Sequence, residues 1–266
     1  MNEIYKKLIL QILNDNTKYY HKKRNTYLLQ NFNISFTIKG TFYPLLTTRK
    51  FNPYVSIAEA IWILKGQNNI KELKEYTKIW NNFFDGQDTY GYRLINKDIN
   101  QIKTIIQNFK ENPNSKQQLW TYWERNDLLN GKIHKNIPCP YSGIFINENN
   151  SLSMQLNIRS SDIVYGLPYD ILTHFIILKI VANSLNIDIK NLYINITNGH
   201  IYSNYIEENL FIELNKKSEL FILPKFTYTF NDISILPFKE CYETILKDFK
   251  NYKSNNIKLN SKVSEK

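Results

Sequence analysis

The chain has 266 residues, 42% hydrophobic and 22% charged, with a formal charge of +10. It is long enough to bury a large core, and its composition excludes a disordered, collagen-like or coiled-coil protein. No apolar run approaches a bilayer span, no signal-peptide pattern opens the chain, and two cysteines, Cys139 and Cys241, are too few for a disulfide scaffold, so a reducing cytoplasm is expected.

Ile4, Leu8, Ile9 and Ile12 mark one face of an N-terminal helix. Ile34, Phe36 and Ile38 alternate as a strand. A second helix starts at Asn52-Pro53, with proline in a favoured first-turn position, and stops at Gly66. A third runs from about Ile99 to Phe109 and is ended by Asn112-Pro113. A polar turn at Asn147–Asn150 precedes the alternating strand Leu152, Met154, Leu156, Ile158. The stretch from Tyr169 to Asn183 is apolar nearly all round, as a helix deep in a core must be. Leu192, Ile194 and Ile196 alternate, as do Phe226, Tyr228 and Phe230. Half-buried sheet packed on helices makes the class α+β. Without repeats or a linker, residues 1–252 read as one domain and 253–266 as a loose, polar, basic tail. Much of the charge excess sits at Lys22-Lys23-Arg24 and in Lys247–Lys266. No nucleic-acid-binding module accompanies it, so it reads as solvated surface.

Five segments could carry chemistry. Cys139 lies between Pro138 and Pro140, a rigid extended setting that suits a nucleophile as well as a small buried hydrophobe. Arg159, at a strand end beside Ser160, fits a phosphate grip or a salt bridge to Asp162. Asp170 sits where it could cap the buried helix. His200, two residues before Tyr202, follows a strand and fits a satisfied turn histidine. Glu59 lies on an otherwise apolar helix, where a carboxylate is expensive unless paired, functional or turned to solvent.

In order and spacing these segments resemble the thymidylate synthase superfamily, which includes the deoxycytidylate hydroxymethylases. The similarity spans about residues 1–258 and rests on Pro44–Arg49, Glu59 with Trp62 and Gly66, Trp80 with Tyr90-Gly91, Cys139, Gln155–Asp162 with Gly166-Leu167-Pro168, and His200 with Tyr202. The resemblance implies a three-layer sandwich with a twisted mixed sheet and a long buried central helix, and a homodimer. It implies Cys139 as nucleophile, with Glu59, Tyr90 and Asp162 in the catalytic machinery. A pyrimidine nucleotide would be held by Arg159, Ser160, Asp170, His200, Tyr202, Arg24 and Lys116. Methylenetetrahydrofolate, the implied co-substrate, would meet Trp80, Asp162, Gly166 and Tyr169. No metal is called for.

Several positions depart from the family pattern. Pro140 stands where the family has histidine, and Lys116-Gln117 where it has two adjacent arginines; Arg24 is the nearest match for its early phosphate arginine. The C-terminal closing segment is reduced to Tyr252…Ile257-Lys258. Asp170 replaces the asparagine that reads the pyrimidine edge. An amide suits uracil, which offers one acceptor and one donor there. A carboxylate only accepts, so it suits the cytosine amine together with a protonated ring nitrogen 3. The expected function is therefore carbon-5 hydroxymethylation of dCMP or CMP. The alternatives are thymidylate synthesis from dUMP and a catalytically impaired family member.

Overall fold

A computed structural model describes residues 1–15, 17–22, 25–81, 83–84, 86, 88–130, 137–206, 208–217 and 227–258. Arg24, named above for the phosphate, lies outside the described residues.

The strands are β1 (Lys18–His21), β2 (Thr26–Lys39), β3 (Leu119–Thr121), β4 (Pro140–Asn147), β5 (Ser151–Asp162) and β6 (Asp188–Tyr202). They form one sheet in the order β1-β2-β6-β5-β4-β3, antiparallel except for the parallel pair β5–β6. A parallel pair cannot be joined by a tight turn, and the helix that crosses over here is α6 (Gly166–Leu185). Its faces carry Ile171, Leu172, Phe175, Ile176, Leu178, Ile180 and Val181, all buried, so hydrophobic burial rather than amphipathicity fixes it. Leu152, Met154, Leu156 and Ile158 of β5 and Leu192, Ile194 and Ile196 of β6 meet it from the sheet.

The remaining helices are α1 (Asn2–Asp15), α2 (Pro53–Leu64), α3 (Tyr90–Leu94), α4 (Gln101–Glu111), α5 (Asp127–Asn130), α7 (Glu208–Leu214), α8 (Phe230–Ile235) and α9 (Phe238–Leu246). The layers run sheet, then α6, then α2 with α9 outside it. The signals at α2 act as expected: the Asn52 side chain accepts from the Tyr54 N–H at 3.1 Å, and Pro53 is the first helical residue. Gly66 takes φ +64° just past the end, where Ile95 leaves no room for a Cβ.

The residues between the inward ones on each strand point the other way. There Ser35 Oγ donates to Asn195 Oδ1 (2.9 Å), Asn195 Nδ2 to Asn157 Oδ1 (3.3 Å) and Asn157 Nδ2 to Ser142 Oγ (3.1 Å). The sheet face away from α6 therefore carries a hydrogen-bonded row of polar side chains across four strands.

Three expectations need correction. α6 begins at Gly166, not Tyr169, so Asp170 is its fifth residue and caps nothing. The alternation at 226–230 is not a strand: residues 227–229 are irregular and Phe230 opens α8, where Thr229 and Asp232 form a capping box; Phe226 lies outside the described residues. The first part of the tail is not loose. Lys50 N–H donates to Ile257 O (2.9 Å), Asn255 N–H to Thr47 O (2.9 Å) and Asn209 Nδ2 to Lys258 O (3.2 Å). Backbone pairing with Thr47–Lys50 docks residues 253–258 where sequence polarity suggested solvent.

Candidate active site

Cys139 sits at the mouth of β4, its carbonyl accepting from Arg159 N–H (2.9 Å). Its own N–H donates to the Tyr90 hydroxyl (3.2 Å). Tyr90 is placed by α3, whose N-cap Thr89 accepts from Tyr92 N–H (3.2 Å). Arg159 Nε donates to Pro138 O and Nη2 to Ile137 O, both at 2.8 Å, and Nη2 lies 3.7 Å from the Cys139 sulfur. The guanidinium also lies over the Trp123 ring, 5.9 Å from its centroid. The prolines and the arginine together leave the thiol rigid, half-buried and beside a positive charge, the setting of reactive cysteines. Among the described residues no ion pair joins Arg159 to Asp162, and the guanidinium takes the loop carbonyls instead. Cys241 is fully buried, its S–H directed at main-chain carbonyls, and burial pushes its thiol up.

Glu59 on α2 does not face solvent. Its Oε1 accepts from Trp80 Nε1 (2.5 Å) and its Oε2 from Thr173 Oγ1 (3.1 Å). The Trp80 ring is wedged between Trp62 and Tyr90, with centroids 4.9 and 5.6 Å away. Burial pushes the Glu59 carboxyl up, against the two hydrogen bonds. Thr173 lies three residues after Asp170, so one helical face carries both. Burial, and then the negative charges of Glu59 and Asp162, hold the Asp170 carboxyl well above the usual carboxylate range.

Asp162 ends β5. Its Oδ1 accepts from the N–H groups of Val164 (3.0 Å) and Tyr165 (3.1 Å), turning the chain into α6, and its Oδ2 accepts from Tyr205 (3.2 Å). Parallel pairing sets Asp162 beside His200. Ser160 Oγ lies 3.5 Å from His200 Nδ1, and the His200 and Tyr202 rings meet edge to face at 5.1 Å. This cluster occupies the carboxyl ends of the parallel pair, the end where open α/β sheets bind ligands. Lys116 is exposed between α4 and β3, and no hydrogen bond or ion pair joins it to these groups among the described residues.

Beyond Gly166, the Tyr169 ring packs on Phe51 (4.7 Å), and the Tyr169 hydroxyl accepts from Asn52 N–H (3.4 Å). Phe51 also meets Tyr252 (6.5 Å). Phe51 and Tyr252 line an open cavity of about 450 Å³ together with Lys50, Asn52, Tyr54 and Asn255. Aromatic walls with amide and ammonium groups at the rim suit a flat, polar heteroaromatic molecule.

Several supporting residues carry no signal that sequence reasoning used. Arg49, quoted above only within a motif, is buried: Nη2 donates to Val164 O (2.5 Å), Nε to Tyr5 (3.3 Å), and Nε lies 3.6 Å from Glu213. It ties the turn after Asp162 to α7 and to the segment that docks the tail. Arg93 and Asp127 form a buried bidentate pair (2.7 and 3.0 Å), with Arg93 Nη1 also on Tyr122 O (3.0 Å). Thr173 holds Glu59 and Tyr205 holds Asp162, while Tyr122 and His174 are buried and hydrogen-bonded to each other. An arginine between Tyr92 and Leu94-Ile95 is the sequence sign that could have marked Arg93; Arg49, between Thr48 and Lys50, carries none.

The sequence family described as Thymidylate synthase matches residues 3–263. A thymidylate synthase of Buchnera aphidicola subsp. Acyrthosiphon pisum (strain APS) is 33% identical over 261 residues, covering 92% of this chain and 93% of its own length. One from Buchnera aphidicola subsp. Schizaphis graminum (strain Sg) is 30% identical over 254 residues, covering 88% and 95%. One from Francisella tularensis subsp. holarctica (strain LVS) is 31% identical over 240 residues, covering 84% and 85%.

Proposed function

This chain belongs to the thymidylate synthase family, and we propose that it hydroxymethylates carbon 5 of a cytidine nucleotide, dCMP or CMP. It is a one-carbon transferase of that family, with methylenetetrahydrofolate as co-substrate. The observation that carries the base assignment is Asp170, which approaches Glu59 and Asp162 closely enough for their charges to act on it. Its proton, shared with ring nitrogen 3, leaves the other oxygen to accept from the cytosine amine.

In this reading the Cys139 thiolate adds to ring carbon 6, leaving carbon 5 nucleophilic. Bound methylenetetrahydrofolate supplies the one-carbon unit, and Phe51, Tyr169, Trp80 and Tyr252 offer the ring surfaces to hold it, with Asp162 and Gly166 at the turn beside them. Glu59, aimed by Trp80 and Thr173, organises removal of the carbon-5 proton. Tyr90 holds the cysteine backbone. Arg159 and Ser160 take the phosphate: among the described residues Arg159 Nη1 makes no hydrogen bond, which leaves one arm of the fork for it. His200 and Tyr202 take the sugar hydroxyl. Lys116 would reach the phosphate only in an assembled dimer, and Arg24 lies outside the described residues.

A second reading, methylation of dUMP, is favoured by two observations. The relatives above are named thymidylate synthase. A protonated Asp170 also offers one donor and one acceptor, as an amide does. Incubating the protein with methylenetetrahydrofolate and dCMP, CMP or dUMP, followed by mass analysis of the nucleotide, separates the two. Gain of a hydroxymethyl group on a cytosine is the expected product; methylated dUMP alone would establish the second reading.

The protein is further proposed to act as a cytoplasmic homodimer. The polar row Ser35–Asn195–Asn157–Ser142 on the uncovered sheet face supports the dimer. Two free cysteines support the compartment.

A further inference from the structure

On α6, one turn beyond Asp170, His174 is buried beneath the site. Its Nδ1 lies 2.7 Å from the Asp170 carbonyl oxygen and its Nε2 lies 3.4 Å from the Tyr122 hydroxyl. The Trp120 ring stacks on the imidazole at 5.9 Å and 9°. A carbonyl only accepts, so Nδ1 carries the imidazole proton and Nε2 presents a lone pair. The Tyr122 hydroxyl must then donate to Nε2. That phenol has one proton, and it stands where both Glu59 and Asp170 act on it electrostatically. Held by Nε2, that proton is not offered to either carboxyl.

We propose that His174 is a positioning residue that engages the Tyr122 hydroxyl proton and so keeps the Asp170 and Glu59 carboxyls free for the substrate side of the site. The proposal rests on the base-reading role given to Asp170 above. The groups that face Asp170 are Glu59 from α2, Asp162 from the end of β5, Tyr90 from α3 and Tyr122 from the segment after β3. Among the described residues no lysine or arginine pairs with Asp170. Burial lowers His174 to about 4, so it stays neutral through the working range and the polarity of the pair does not reverse there.

The test uses His174→Phe, Tyr122→Phe and the double variant, with two readouts. The first is the titration of the Asp170 and Glu59 carboxyls by carbon-13 NMR in the free protein, assigned with Asp170→Asn. The second is the dissociation constant for dCMP and dUMP. In His174→Phe the freed phenol donates to a carboxylate, so a carboxyl midpoint falls by about one pH unit, a tenfold gain in proton release. Nucleotide affinity falls about tenfold as a reading oxygen is taken. Tyr122→Phe leaves both readouts within about twofold of wild type, and the double variant restores both. A merely structural histidine makes the double variant as weak as His174→Phe or weaker, and that result, or an unmoved titration, overturns the proposal. His174→Leu, which also deletes both ring nitrogens, carries the same expectation if the phenylalanine variant does not fold. Failure of wild-type protein to bind any pyrimidine nucleotide would remove the functional reading, while the titration still decides the role of the pair.

Discussion

Arg159 Nη2 lies 3.7 Å from the Cys139 sulfur while the same guanidinium holds the carbonyls of Ile137 and Pro138. One side chain thus fixes the loop that carries the nucleophile and sets a positive charge beside it. Arg159→Ala should therefore damage turnover as well as binding. Losing a charge-assisted contact of roughly 1.5–3 kcal/mol should weaken nucleotide binding about tenfold or more. The unphosphorylated nucleoside should keep its affinity but lose turnover through the loosened loop. Calorimetry on both ligands, with rates, checks this; equal losses of affinity would contradict the phosphate role.

Cys139→Ser should abolish turnover and leave nucleotide binding within about twofold, because the hydroxyl occupies the same place with little nucleophilicity at neutral pH. Cys241→Ser should leave activity unchanged, since that thiol only faces the Asp232 and Leu236 carbonyls. Steady-state rates and ligand titration on both variants decide it.

The Arg93–Asp127 pair is almost wholly buried, with side-chain exposures of 6% and 2%. Removing one partner leaves an uncompensated charge, a loss of about 3–5 kcal/mol. Asp127→Ala should lower the urea midpoint accordingly. A shift below about 1 kcal/mol, the range of exposed pairs, would show that the pair is solvated.

The pH dependence of stability offers a separate check on Asp170. In the unfolded chain an aspartate titrates near about 3.9. In the folded chain burial and its carboxylate neighbours hold the proton to higher pH. Between those values the folded state binds more protons than the unfolded one, so this group makes stability fall as pH rises. Asp170→Asn removes that loss. The variant should be more stable than wild type at about pH 8, with the gap closing towards about pH 4. A gap independent of pH would place Asp170 in water.

The N-terminal helix and the strands β2, β5 and β6 are legible because each carries a single period over many residues, α2 because proline and glycine mark its ends, and α6 because its run is apolar all round. The short strands β1 and β3 are not: three or four residues fixed by pairing leave too little pattern. Within β4, Gly143 is required because a Cβ there would lie 2.4 Å from the Trp120 ring, a constraint that only the fold reveals. Cys139, Glu59 and the Arg159–Asp162 segment could be singled out by residue type in an unusual setting. Thr173, Tyr122 and His174 are common residues in ordinary contexts, and only α6 packing against α2 and the strand–helix junction gives them partners. The docking of residues 253–258 is not legible because it rests on backbone pairing with Thr47–Lys50, to which their polar side chains give no clue.

The most direct test of the central claim is the ratio of kcat/KM for dCMP to that for dUMP, measured with methylenetetrahydrofolate in wild type and Asp170→Asn. Since Asp170 caps nothing, the change acts on the site and not on a helix end. Wild type should favour dCMP. The variant should move the ratio about tenfold or more towards dUMP, the cost of one misplaced hydrogen bond in a buried site being on the order of 1–3 kcal/mol. A wild type that favours dUMP, or a ratio unchanged by the substitution, would contradict the assignment of Asp170 as the reader of cytosine.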